Sequence, residues 1–471
     1  MALAMILIGL LGLMYFAYRG FSIILIAPVF AIIAALGSEH ASMPVFSELY
    51  MTKAAEYIKT YYPIFLLGAI FATIMEKGGL AASVADKIIS LLGKDRAILS
   101  VLLGCGVLTY GGLSVFVVAF VMYPFGAIIF KEANVPKRLL PATLWMGIFS
   151  YAMVSLPGTP QIQNIIPASY FGTTTWAGIW TGITGSVIYF VMAWIWIGYR
   201  SSKLKKAGEG YGKYSIHEPE NSKKKLPSWT LSTIPLILVV VINLLVSNPF
   251  LWEWAYHWDQ YSLVSFEPLK LSLIAPNVHK VQAIWSINIA LLVSSIVATF
   301  IGRKRFRMMN GFMVPINYAV ISSGTAVLNV ASGYAFGCVV TSLEGFSIIK
   351  DMLLSFTIGD GPLVSAIITT NLMAAITGSA SGGLTIALSM LGEQWLTWAN
   401  QINMSPEILH RIVCMASVGI DPVPHCGALV TLLAICGLSH KTAYYDIAIL
   451  MGMKFFVAFI CLAIFMLTGL I

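Results

Sequence analysis

The sequence predicts an all-α polytopic membrane protein made of two inverted-topology repeats, each with a re-entrant helical hairpin and a proline-broken helix. Three observations predict it. Of 471 residues, 58% are hydrophobic and 10% charged, with a mean hydropathy of +0.85, which no soluble globular composition matches. Basic residues collect in alternate loops. The two halves also interrupt their apolar runs at corresponding places with glycine, proline and hydroxyl residues. A spanning helix needs roughly 20 apolar residues, and about ten candidate segments cover the chain.

The first apolar run, 2–18, lacks a basic leading region and is followed closely by a second, 21–36, so it is expected as a membrane helix rather than a signal peptide. A weakly amphipathic stretch (44–59) and another span come next. A hairpin over 97–130 then has "TYGGLS" (109–114) at its middle, and a helix over 139–172 is broken by "SLPGTPQIQN" (155–164). A last span closes the first repeat, 1–199. The polar, lysine-rich stretch 200–227 reads as a cytoplasmic tether, with Lys223, Lys224 and Lys225 as an alternative contact for anionic lipid. The second repeat, 228–471, repeats the plan: two spans, an amphipathic stretch (306–318), a span, a hairpin over 362–395 centred on "TGSASGG" (377–383), a helix over 405–436 broken by "GIDPVPHCG" (419–427), and a final span.

Orientation follows from charge. With the tether inside, 21 of the 28 lysines and arginines face the cytoplasm, six lie outside and Lys454 sits within a span. Both termini are then outside. The first repeat starts outside and the second inside, which inverts them. Lys94, Arg96, Lys131 and Lys137 put both ends of the first hairpin inside, whereas Asp351, Asp360 and Glu393 put those of the second outside.

Paired prolines remove backbone donors and stop a helix. Irregular backbone at membrane depth survives only where it is buried in protein or lines a cavity, so four interruptions argue for one polar site at the midplane. The half-helix starts offer free N–H groups and a positive dipole end, suited to an anion such as a carboxylate. Gly111, Gly112, Gly378 and Gly382 admit close backbone approach; Thr109, Ser114, Thr159, Thr377, Ser379 and Ser381 add hydroxyls; Gln161, Gln163, Asn164 and Asn371 add amides. Small-residue helix packing and interhelical hydrogen bonds are the alternatives for these residues. Asp421, the one acid in the break 419–427 of the second broken helix, suits a coupling proton, a sodium ion held with backbone carbonyls, or a half-helix cap. His425 suits substrate donation, proton shuttling or a packing bond.

Other chemistry finds little support. The six cysteines lie in apolar stretches without ligand spacing, and no P-loop, HExxH or Cys/His motif occurs, so no enzyme, metal or cofactor is expected. The net charge of +8 follows membrane side rather than a nucleic-acid patch. Glu76, Asp86 and Glu344 read as interface residues, and Trp252, Trp254 and Trp258 as an interfacial belt or a subunit contact.

Several stretches together are similar to the gluconate permease family of the ion-transporter superfamily: "FLLGAIFATIMEKGGLAASVADKI" (65–88), "MYP" (122–124), "NVP" (134–136), "GSAS" (378–381), "SPEI" (405–408) and "DP" (421–422). The resemblance implies a bacterial inner-membrane proton symporter of hydroxylated monocarboxylates, a homodimer in which a transport domain carrying both hairpins moves against a scaffold, elevator-fashion. Gluconate-type members carry a glutamate, a histidine and an arginine where this chain reads "GGLSVFVV" (111–118), "VSLPGTP" (154–160) and "AAITGSAS" (374–381), all uncharged. The pocket is therefore expected to be more apolar and to suit a shorter acid, most like the 3-hydroxybutyrate permease branch. Its partners would be a small organic acid, a coupling proton or sodium ion, the bilayer and a second copy. A gluconate or other organic-acid symporter, a membrane enzyme and a channel are the alternatives.

Overall fold

The computed structural model describes residues 2–38, 41–212, 218–219, 225–269, 273–308 and 312–471, and among them no strand occurs. Helix is what a bilayer demands, because only a helix meets its own backbone hydrogen bonds without water. In the first half α1 (Ala2–Tyr18) and α2 (Ile23–Ala35) lead into α3 (Ser42–Pro44), a wider π-helical stretch (Val45–Tyr50) and α4 (Met51–Lys77). These last three form one 36-residue rod, so the amphipathic stretch at 44–59 is not a separate element. Then follow α5 (Leu80–Leu92), α6 (Ala97–Tyr110), α7 (Val115–Glu132), α8 (Leu140–Ile148), α9 (Ile162–Phe171) and α10 (Ile179–Lys206). The second half runs α11 (Trp229–Ser247), α12 (Gln282–Met308), α13 (Met313–Ser342), α14 (Phe346–Leu354), α15 (Leu363–Thr377), α16 (Ala380–Gln401), α17 (Pro406–Ser417), α18 (Gly427–Cys436) and α19 (His440–Thr468).

Among the described residues seven helices are long and apolar enough to cross a membrane, fewer than the roughly ten segments read from hydropathy. The difference lies in where glycine, proline and small residues cut the apolar runs. The 14-residue α6 reaches only about 21 Å at 1.5 Å per residue, short of a hydrocarbon core of about 30 Å.

The tether also differs from its expectation. Its first residues continue α10 as helix to Lys206, and the chain beyond docks on the α7–α8 connection. Tyr211 N donates to Asn134 Oδ1 at 3.0 Å, and Lys137 pairs with Glu218 at 2.7 Å. Lys223 and Lys224 lie outside the described residues, as do 309–311 within the second amphipathic stretch.

Packing divides the helices into two groups. One holds α1 against α2 and α11 against α12, with α4 lying along both α12 and α13, and α13 along α2. The other is crosswise. α6 and α7 pack on α8 while α7 reaches α18 of the other half; α15 and α16 pack on α17 while α16 reaches α9. α10 and α19 flank this second group, clamped by Arg200 and Asp446 at 2.6 Å with Trp196 Nε1 on the same carboxylate oxygen at 3.2 Å.

The α15–α16 turn explains the run of small residues in "TGSASGG". Gly378 ends α15 in the left-handed region at φ +59°, where a side chain would be strained. Ser379 then caps α16, its hydroxyl oxygen accepting from Gly382 N at 3.2 Å. A Cβ on Gly383 would clash with Ala374 N and Cα, so the two arms touch backbone to backbone. Gly383→Ala is accordingly expected to abolish recovery of monodisperse protein in detergent. Gly427→Ala, with open space around its Cα, is expected to give wild-type yield in the same size-exclusion assay.

Candidate functional site

The backbone breaks at four places: 111–114 between α6 and α7, 156–161 between the π-helical stretch Tyr151–Ser155 and α9, 378–379 between α15 and α16, and 418–426 between α17 and α18. Each break frees carbonyls that need donors. Some of the polar residues singled out in the sequence serve that need. Gln161 Nε2 donates to Thr109 O at 2.8 Å and Leu113 O at 3.1 Å, holding the first hairpin tip to the first broken helix. Tyr110 OH donates to Pro157 O at 2.8 Å. Thr159 Oγ1 turns to Ala152 O at 2.8 Å, and Thr377 Oγ1 to Met373 O at 2.9 Å within its own helix.

Asn164 is wholly engaged, which removes it as a ligand donor. Its Nδ2 donates to Thr159 O and Thr175 O at 2.9 and 2.8 Å; its Oδ1 meets His410 Nε2 at 3.1 Å and accepts from Arg411 Nη1 at 3.0 Å. Arg411 is a residue that the sequence reading did not single out. It is fully buried, and its guanidinium also donates to the carbonyls of Val154, Thr175 and Ala177. Those carbonyls belong to a half-helix end and the loop beyond, where the partial negative charge of the peptide dipoles offsets the cation. Gly178 and Gly182 leave room for its stem.

Asp421 has a partner too. Lys454, from the middle of α19, lies 3.1 Å from its Oδ1, both side chains shut away from solvent. Lys454 Nζ also donates to Phe149 O at 3.3 Å and sits 5.7 Å from the centre of the Trp145 ring. Asp421 is thus neither a lone charge nor a helix cap. A lone lysine in one apolar span and a lone acid in a broken helix was the signal in the sequence that they would pair.

The remaining residues fall into two places. Around the second hairpin tip, Gly378 packs on His425 and Cys426, and Asn371 Oδ1 presses against Gly419. Asn371 Oδ1 and His425 Nε2 are buried without a hydrogen-bond partner, as are Thr109 Oγ1 and Gln163 Oε1 in the first half. Ser381 is half-buried in the first turn of α16, and Ser114 precedes α7. Gly111 packs on Leu236, and Gly112 on Pro160, Val239 and Leu291. Among the described residues no hydrogen bond joins the tip at 111–114 to the tip at 378–379. They communicate through α9 and α17, where Cys414 Sγ donates to Gln163 O at 3.2 Å. Two clefts of about 340 and 470 Å³ lie at helix ends, one against α16 and one between Phe171 and Glu407; no break residue lines either.

The N–H side of the breaks is treated differently. Ser114, Gln161 and Cys426, the residues before α7, α9 and α18, give no side-chain bond to the first turn; of the four starts only α16 has one, from Ser379. Several break carbonyls are met by side-chain donors, while the first turns of α7, α9 and α18 receive no side-chain acceptor from the residue before them. No group of His, Cys, Asp or Glu among the described residues could hold a metal ion, and the six cysteines are free thiols.

Spanning helices around two tight helical hairpins and two broken helices, with polar groups buried at the breaks, are an arrangement typical of helical membrane transporters. The sequence profile of the GntP family permease matches residues 60–469. The chain is 41% identical over 486 aligned positions to a protein of Bacillus subtilis (strain 168) described as the uncharacterized transporter YxjC, covering all of both chains. Its fold is similar to that of the Alcanivorax borkumensis YdaH transporter, whose crystal structure is described as revealing an unusual topology, with a TM-score of 0.58 and 13% identity over 90% of this chain and 89% of that one. The chain belongs to the GntP permease family, and it is a multi-pass secondary transporter of that type.

Removing the Asn164 amide strands Arg411 and His410 together, and a buried polar group left unmet costs about 1–3 kcal/mol, more when charged. Asn164→Leu is therefore expected to lower the unfolding temperature in detergent by several degrees, against little change for half-buried His425→Ala. Equal melting of the two variants would show that the Asn164 node carries no stability.

Proposed function

We propose that this permease is a symporter of a small hydroxy monocarboxylate, such as 3-hydroxybutyrate, coupled to protons. It works in the bacterial inner membrane as a homodimer, by elevator-type alternating access. The repeats, 1–199 and 228–471, are inverted, with a cytoplasmic tether between them and both termini outside; each hairpin re-enters the membrane from its own side. The matching order of short hairpin helices, broken helix and long final helix in the two halves supports this reading.

The observation that carries the substrate class is the imbalance at the breaks. Side chains supply donors to the freed carbonyls, whereas the first-turn N–H groups of α7, α9 and α18 lack side-chain acceptors. An interior with surplus donors favours an anion. Neither hairpin tip, 109–114 or 377–383, contains a charged residue, so the carboxylate is held by backbone N–H groups and by the Ser381, Ser379 and Ser114 hydroxyls. Thr109 Oγ1, Asn371 Oδ1, Gln163 Oε1 and His425 Nε2, buried without a hydrogen-bond partner, are the groups this reading assigns to the polar part of the substrate. An uncharged lining suits a short acid better than a polyhydroxylated one.

Purified protein in liposomes is expected to take up labelled 3-hydroxybutyrate when a proton gradient is imposed, with competition by short hydroxy acids and little by gluconate. Uptake that persists after collapse of both proton and sodium gradients would refute the coupled mechanism. Ser381→Ala is expected to raise KM about tenfold, the loss of one hydrogen bond of about 1.4 kcal/mol to a charged group. An unchanged KM would remove that hydroxyl from the site.

A further inference from the structure

The ammonium of Lys454 occupies a position with the chemistry of an alkali-cation site. Its oxygen neighbours are the Asp421 carboxylate at 3.1 Å and the Phe149 carbonyl at 3.3 Å, and Phe149 is the residue that closes α8. Broken-helix carriers bind sodium with such elements, namely carbonyls at the C-terminal ends of half-helices and unwound backbone. The Trp145 ring face supplies a third electron-rich neighbour. No solvent reaches Lys454, and 2% of Asp421 is exposed. The other charged groups nearby are committed elsewhere: Asp446, two turns earlier on α19, pairs with Arg200 at 2.6 Å, and Arg411 on α17 spends its guanidinium on carbonyls and Asn164.

We propose that Lys454 is the resident cation of the second break: its ammonium holds, beside Asp421, the place that a coupling sodium ion would take, and it thereby makes this permease independent of sodium. The proposal rests on the transport reading above and names the residue that sets ion specificity. A lysine tethered to α19 also joins three elements that a diffusible ion would join only while bound: α8, the 418–426 break and α19 itself.

Two measurements test it. The first needs no transport: thermal unfolding of purified protein at constant pH and ionic strength, in sodium chloride against choline chloride. Wild type is expected to melt at the same temperature in both. Lys454→Ala is expected to be stabilised by sodium, saturably and by several degrees, as binding linkage requires. The double variant Asp421→Asn with Lys454→Ala is expected to lose that response. The second is uptake: the wild-type rate should be equal in the two salts within twofold, and that of Lys454→Ala at least fivefold higher in sodium. Saturable stabilisation or stimulation of the wild type by sodium would overturn the proposal. So would a folded Lys454→Ala indifferent to sodium, or failure of both Lys454→Ala and Lys454→Met to fold in sodium, since a replaceable cation is what is claimed. Absence of any carboxylate uptake by the wild type would instead count against the transport reading, while the unfolding measurement still decides the role of Lys454.

Discussion

Carbonyl groups set free inside a membrane must find donors within the protein, and the rest of this structure is arranged around that constraint. Pro157 is met by Tyr110, Gly158 by Asn243, Thr109 and Leu113 by Gln161, and Pro422 by Tyr444. Val154, Thr175 and Ala177 share one guanidinium. A protein's net stability is only about 5–15 kcal/mol, and each unmet buried group costs about 1–3. A few such bonds therefore separate a held-open break from a collapsed one.

That constraint also explains how far the sequence could be read. The all-helical membrane class was legible because composition leaves no alternative, and the ends of α6, α15 and α17 fall where glycine and proline punctuate the apolar runs. The assignment of individual polar side chains was not. An amide that would bind a carboxylate is equally suited to a backbone carbonyl, so nothing in the residue type separates Asn164, fully committed, from Asn371, whose oxygen has no partner. Arg411 was harder still, because its partners lie more than 230 positions away. Lys454 and Asp421 stand 33 residues apart, and only the cost of burying either alone pointed to the other.

The crosswise packing gives these local bonds a mechanical meaning. α7 rests on α18 and α16 on α9, so each hairpin is fastened to both halves. The Asn164 node and the Lys454 pair add polar ties between the same elements. Hairpins and broken helices thus interlock, whereas α4 packs chiefly on α12 and α13, α12 on α11 and α4, and α13 lies along α2 and α16 as well as α4. The proposed elevator-type mechanism asks for an interlocked body, which shifts as a unit more readily than it deforms.

The reach of Arg411 bears on how the chain is made. Val154 precedes it by 257 positions and Ala177 by 234, so these carbonyls, on either side of α9, are synthesised long before their donor. α9 likewise precedes both α16 and α17, against which it packs. In the nascent protein the first half therefore holds a broken helix in which the Val154 and Ala177 carbonyls await Arg411, and those bonds form only when the last quarter of the chain arrives.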